Sequence, residues 1–161
     1  MLTEKLSRIF SLFERIESNG KFGREFERYG GEAPDFLPLE YRIFVSANRR
    51  VLPSNWELFS FYGHHKVSLD EINNQLRESG LPPGFVAFGK TGDEDFLLFK
   101  GQAVYWCDAE SVSEIASTEA FASSFSRAIL KIIQLRIEKL HGLLNEVESE
   151  YRTLCKSGDG K

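Results

Sequence analysis

Leu2, Leu6, Ile9, Phe13 and Ile16 recur at steps of 4, 3, 4 and 3, which places them on one face of a helix. Thr3 can cap its start, and "SNG" at 18–20 ends it with Gly20. The charged stretch from Lys21 to Gly31, with Phe22, Phe26 and Tyr29, reads as a short helix or a loop. "LPLEYRIFVSAN" (37–48) predicts a further helix, with Pro38 in its first turn and Leu37, Tyr41 and Phe44 or Val45 as its buried stripe. "NWELFSFYG" (55–63) alternates Trp56, Leu58, Ser60 and Tyr62 against Glu57, Phe59 and Phe61, a strand with apolar material on both faces. "SLDEINNQLRESG" (68–80) opens with the capping box Ser68 and Glu71, turns Leu69, Ile72 and Leu76 inward, and ends at Gly80.

Three short β-rich runs follow, "GFVAFG", "DFLLFK" and "QAVYWCD". The links "KTGDE" and "KGQ" are short and contain Gly, so the runs predict an antiparallel meander. From about Ser117 to Cys155 a long helix is expected, with Phe121, Phe125 and Ile129 packed on the sheet. Beyond them Ile133, Ile137, Leu140, Leu144, Val147, Tyr151 and Leu154 form a heptad seam. Gly142 lies within it and weakens the helix by about 1 kcal/mol relative to Ala. The pattern as a whole predicts an antiparallel meander with helices before and after it, among them an N-terminal helix and a long C-terminal helix. One domain is expected, with a helical extension at 1–20, a core at 22–133, a second helical extension at 134–155 and a disordered tail at 156–161.

A chain of 161 residues, 42% hydrophobic and 27% charged, can bury a core without disulfides or metal. Its 14 Phe point to a core built on aromatics. The net charge of −4 is unevenly placed. Residues 1–50 carry +1, residues 51–133 carry −5, and residues 134–161 are neutral. An acidic middle lacks the clustered Lys and Arg that grip phosphates, which argues against nucleic acid and for a basic protein partner. A merely solvated acidic face is the bland alternative. Cys107 and Cys155 are too few and too far apart for a disulfide framework. Neither a signal-peptide pattern nor an apolar run of membrane-spanning length is present, so no membrane association and a cytoplasmic setting are expected.

"GFVAFGKT" (84–91) fits the phosphate-loop pattern G-x-x-x-x-G-K-[ST] letter for letter. The chemistry does not follow. A phosphate loop needs backbone N–H groups curled around the anion and a helix opening at the Lys and Thr. Here Phe85, Val86, Ala87 and Phe88 are strand formers, and Gly92, Asp93, Glu94 and Asp95 follow Thr91. Lys90 is expected at the mouth of a hairpin turn. "GDED" (92–95) lacks the ligand spacing of a calcium loop and reads as an acidic turn, available to basic groups on a partner. The adjacent His64 and His65 would point to opposite faces of a strand, so no metal ligation is expected of them. No local mark of an activated nucleophile is present, and Cys107 reads as an inert core thiol. Neither catalysis nor a cofactor or metal is expected.

Three stretches resemble the SUKH superfamily (Smi/Knr-type), bacterial immunity proteins against polymorphic toxins and fungal regulators of cell-wall glucan synthesis. They are "EFERYGGEAPDFLPLEYRIFVSAN" (25–48), "GLPPGFVAFGKTGDEDFLLFKGQAVYWCDAES" (80–111) and "SSFSRAILKII" (123–133). The first is similar to the family's Leu-Pro followed by a helix with Tyr and Phe. The second is similar to its sheet core at Asp95, Phe96, Gly101, Val104, Tyr105, Trp106 and Asp108, and the third to its closing helix at Ser124, Phe125 and Leu130. Where the family usually has an Asn-Gly turn after its first core helix, this chain has "ANRRVLP" at 47–53. The resemblance covers somewhat over half the chain, and its motifs are structural. It implies an α+β fold, with a single twisted, largely antiparallel sheet flanked by helices, no catalysis and a protein-binding function.

The expected activity is therefore that of a non-catalytic binding module. The leading form is an immunity protein that neutralises a basic toxin domain, such as a nuclease, through Asp93, Glu94, Asp95, Asp108 and Glu110. Trp56, Tyr62 and Trp106 are aromatic contacts if exposed. The alternative is a regulatory adaptor that binds cellular proteins through its long C-terminal helix. The seams at 2–16 and 133–154 are expected either to pack antiparallel on each other, or to leave the longer one free for a homodimer, the bland alternative being that each covers part of the sheet.

Overall fold

The computed structural model describes residues 33–46, 51–52, 56–59, 68–91 and 93–158. The helix expected at 2–16, the element at 21–31, the strand beyond Phe59 and both His64 and His65 lie outside the described residues. Helix α1 is Leu39–Ser46, followed by β1 (Val51–Leu52) and β2 (Trp56–Leu58). Helix α2 (Leu69–Glu78) leads to β3 (Phe85–Lys90), β4 (Phe96–Lys100) and β5 (Ala103–Cys107). A 3-10 turn at Val112–Ser117 precedes α3, which runs from Phe125 to Gly158. The five strands form one sheet in chain order, and all four pairings are antiparallel.

The expected α+β architecture is what the chain adopts. Pro38 stands just before α1 rather than within its first turn, and its carbonyl accepts from the Arg42 N–H at 3.0 Å. Leu37, Tyr41, Phe44 and Val45 are all buried, as the spacing predicts. Ser68 and Glu71 cap α2 reciprocally, at 3.3 and 3.4 Å. Gly80, at φ +95°, turns the chain out of α2 in a conformation that costs a side chain about 1–2 kcal/mol.

Two helical layers cover the sheet. On one face Tyr41 of α1 and Phe125 of α3 meet Phe88 and Phe99 of the sheet. Tyr41 lies 5.2 Å from Phe88, 5.3 Å from Phe99 and 5.2 Å from Phe125, each ring edge-on. On the other face lie Phe85 and Tyr105, which meet edge-on at 5.1 Å. The pairing of β3 with β4 slips between Ala87 and Gly89, so Phe88 is an inserted residue. Such a bulge turns neighbouring side chains to one face, and Phe88 stacks on Phe99 at 3.9 Å.

Sequence spacing alone misses Asn73. It sits on the inner face of α2, 6% exposed. Its Nδ2 donates to the carbonyls of Leu69 and Ala87, both at 2.8 Å, and its Oδ1 accepts from the Ala87 N–H at 2.8 Å. Strand β2 pairs with β3 only at Gly89 and Lys90. The Asn73 amide thus meets both backbone groups of Ala87, as the paired groups of a neighbouring strand would.

The long helix starts later than its periodicity suggests. Val112 and Ile115 are buried in the 3-10 turn, and residues 118–123 form an extended strap along β5. Ala122 exchanges both backbone hydrogen bonds with Val104, at 2.8 and 3.0 Å. That pairing holds the strap out of the helix, so Phe121 lies on the strap and not on α3. Ser124 then caps α3, its hydroxyl accepting from the Arg127 N–H at 3.4 Å. Glu40 of α1 adds a carboxylate oxygen that accepts from the Ser126 N–H at 3.1 Å and its hydroxyl at 2.9 Å. A carboxylate is favoured there by the partial positive charge of a helix N-terminus. At the other end α3 continues through Gly158, beyond the expected end near Cys155. Among the described residues no helix is long and apolar enough to cross a membrane.

Candidate functional site

The phosphate-loop match is resolved by local geometry. Phe85–Lys90 is a paired strand, and the next element after Thr91 is another strand. Thr91, 3% exposed, pins the connecting turn: its hydroxyl accepts from the N–H groups of Asp93 and Asp95, both at 3.2 Å. Its own N–H donates to the Asp95 carbonyl at 2.8 Å. Lys90 reaches the Glu94 carboxylate at 3.0 and 2.9 Å, at the mouth of the turn as expected. Glu94 has φ +68°, a left-handed backbone outside glycine. Backbone of that kind often marks a functional turn.

The meander brings the acidic residues to one end of the sheet. Phe96 pairs with Cys107, so Asp95 and Asp108, the next residue on each strand, leave the sheet side by side. Asp93 and Glu94 lie in the turn before β4, and Glu110 follows β5 by three residues. Their surroundings differ. Asp95 Oδ2 accepts from Trp106 Nε1 at 2.9 Å, and Asp108 accepts from the Ser111 N–H and hydroxyl at 2.8 and 2.9 Å. The Ser111 hydroxyl, first, and its N–H hold the Asp108 carboxyl below the usual range. Asp93 and Glu110 are exposed and make no such contact among the described residues.

Trp106 stands at the centre of this end. It is 39% exposed, tied to Asp95 by its ring N–H, and braced edge-on by Phe121 of the strap at 5.6 Å. Lys131 of α3 fixes the strap in turn, donating to the Phe121 carbonyl at 2.7 Å with its ammonium 4.9 Å from the ring centre. The Trp56 side chain and Tyr62 lie outside the described residues.

Cys107 is 5% exposed, and its Sγ donates to the Asp108 carbonyl at 3.0 Å. Burial, then the carboxylates of Asp108 and Asp95, push its thiol from 9.0 up to about 11. The thiolate is the nucleophile, so Cys107 is protonated and inert at neutral pH. In a Cys155→Ser chain, Ellman's reagent at pH 8 is expected to label no thiol until denaturant is added. Because the folded value is raised, the stabilising contribution is complete below pH 9 and is lost as pH rises toward 11. A Cys107→Ala chain should show a smaller decline across that window. Among the described residues no group of three His, Cys, Asp or Glu is placed to hold a metal ion.

No family model, curated protein or solved structure matches the chain. The arrangement of its own residues therefore carries the functional argument.

Proposed function

We propose that the chain is a non-catalytic protein-binding domain. Within that class it acts as an immunity protein, binding a basic toxin domain, such as a nuclease, at the acidic end of its sheet. The observation that carries this reading is Trp106, a half-exposed aromatic tied to Asp95 at the end of the sheet where the five carboxylates gather. Binding energy concentrates in aromatic anchors, whereas surrounding charge raises the association rate and selects the partner's sign. Lys90 offsets one carboxylate and leaves the end acidic. Asp93 and Glu110, which have no structural duty in the described fold, are the charges most available to a partner. The resemblance to the SUKH superfamily points the same way. The exposed apolar residues of α3 support a second reading, a regulatory adaptor that takes cellular proteins along the helix.

The test uses the full chain as bait against lysate of its source cells, at low and high salt, beside Trp106→Ala and Asp93→Lys/Glu110→Lys. The expected result is one basic domain that is held at low salt and inhibited in its own activity assay. Trp106→Ala should weaken it by about 2 kcal/mol, some ~30-fold in affinity. The charge reversal should slow association and abolish the salt dependence. A partner unaffected by both variants but lost on truncation after Ile133 would move the function to the helix.

A further inference from the structure

Helix α3 is 34 residues long, about 50 Å at 1.5 Å per residue. Only its first part meets the sheet. Phe125, Ala128, Ile129, Ile132 and Ile133 are buried, so the seam expected from Ile133 onward begins in the protein's own core. Beyond Ile133 only Leu140 among the described seam residues still leans on the core, half-buried; the others face solvent, with Ile137 43% exposed, Leu144 65%, Val147 64% and Tyr151 66%. Spacing of 4 and 3 along such a line is the pattern that a second helix covers.

The charges on the helix say which helix. Residues 127–139 hold Arg127, Lys131, Arg136 and Lys139 against Glu138 alone, whereas residues 146–152 hold Glu146, Glu148 and Glu150 against Arg152, which pairs with Glu148 at 2.6 Å. Two copies side by side in the same direction would set like charge against like. Reversed, each acidic segment faces the other copy's basic segment.

We propose that α3 pairs antiparallel with α3 of a second copy, the two-fold axis crossing near residue 142. In this register Ile137 packs against the second copy's Val147, and Leu140 against its Leu144. Glu150 falls beside Arg136 of the other helix. Tyr151 falls at a groove of about 420 Å3 between the strap and α3, lined by Phe121, Leu130 and Gln134 with Arg127 and Lys131 at its side. That groove gives the aromatic ring an apolar wall and places the neighbouring glutamates near two cations. The dimer carries two acidic sheet ends, one on each copy.

Sedimentation of the full chain at micromolar concentration should give about twice 18.4 kDa. Leu144→Glu should give the monomer with an unchanged circular dichroism spectrum, since the residue is exposed and outside the core. Orientation is read in a Cys155→Ser background with a short bis-maleimide. Leu143→Cys, beside the axis, should cross-link to itself. Tyr151→Cys should not, because its two copies would lie roughly 27 Å apart along the axis. A monomeric full chain overturns the proposal, including one that dimerises only after deletion of residues 1–20, which would show that the chain covers its own stripe. A dimer indifferent to Leu144→Glu, or one that cross-links equally at both positions, also overturns it.

Discussion

Replacing Asn73 by alanine is expected to lower the unfolding free energy by about 3 kcal/mol, measured as a drop in the urea midpoint at constant slope. The side chain is small and its apolar contribution slight, so burial is not the reason. Its removal takes away the partner of the buried Ala87 N–H and C=O, and each unmet backbone group costs about 1–3 kcal/mol. The Leu69 carbonyl keeps its helical position and loses least. Asn73→Asp should cost at least as much, because it turns the donor toward the Ala87 carbonyl into a second acceptor and buries a charge. A loss below about 1 kcal/mol for Asn73→Ala would mean that water takes over the amide's bonds. For a domain whose total stability is roughly 5–15 kcal/mol, the expected loss is a large share.

Phe125→Ala should cost about 3–5 kcal/mol on the same measurement. Phe125 is 2% exposed and lies 5.1 Å from Phe44, 5.9 Å from Phe88 and 6.1 Å from Phe99, in addition to its contact with Tyr41. It therefore joins α1, β3, β4 and α3 through one ring. Neighbours held by three separate elements cannot all move inward, so the cavity stays open and its cost is near the upper end of the range. Phe125→Leu should recover more than half of the loss. Phe36→Ala is the matched control: at 65% exposed it should change stability by no more than about 0.5 kcal/mol.

Legibility in the sequence followed the range of the interactions. The α2 helix could be read whole, because a capping box and a glycine exit are local signals. The β3–β4–β5 meander was equally open, since links of a few residues leave no other pairing. The start of α3 was not. Phe121 and Phe125 have helical spacing, but Ala122 is drawn to Val104 across the sheet, and only that distant pairing places Phe121 on a strap. Asn73 was missed: the spacing of Leu69, Ile72 and Leu76 defines the inner face of α2 without showing that a polar side chain shares it. Two of its hydrogen bonds go to Ala87, 14 residues away on β3, and no pattern within α2 reveals that partner. Asp95 and Asp108 could be named as acidic, and the strand register explains why they come together. That Trp106 would be tied to Asp95 depends on its ring N–H bond, which the register alone does not give.

The carboxylate of Glu40 on the first turn of α3 joins residues 86 apart. The Asn73 clasp on Ala87 closes a loop of 14. On the chain-closure scale the longer loop costs roughly 1.5 kcal/mol more entropy. The meander and α2 can therefore assemble from their own neighbourhood, whereas α1 and α3 have nothing to hold until Phe88 and Phe99 already present a surface. By that measure folding is expected to run outward from the middle of the chain, with the two helices that seal its aromatic core arriving last.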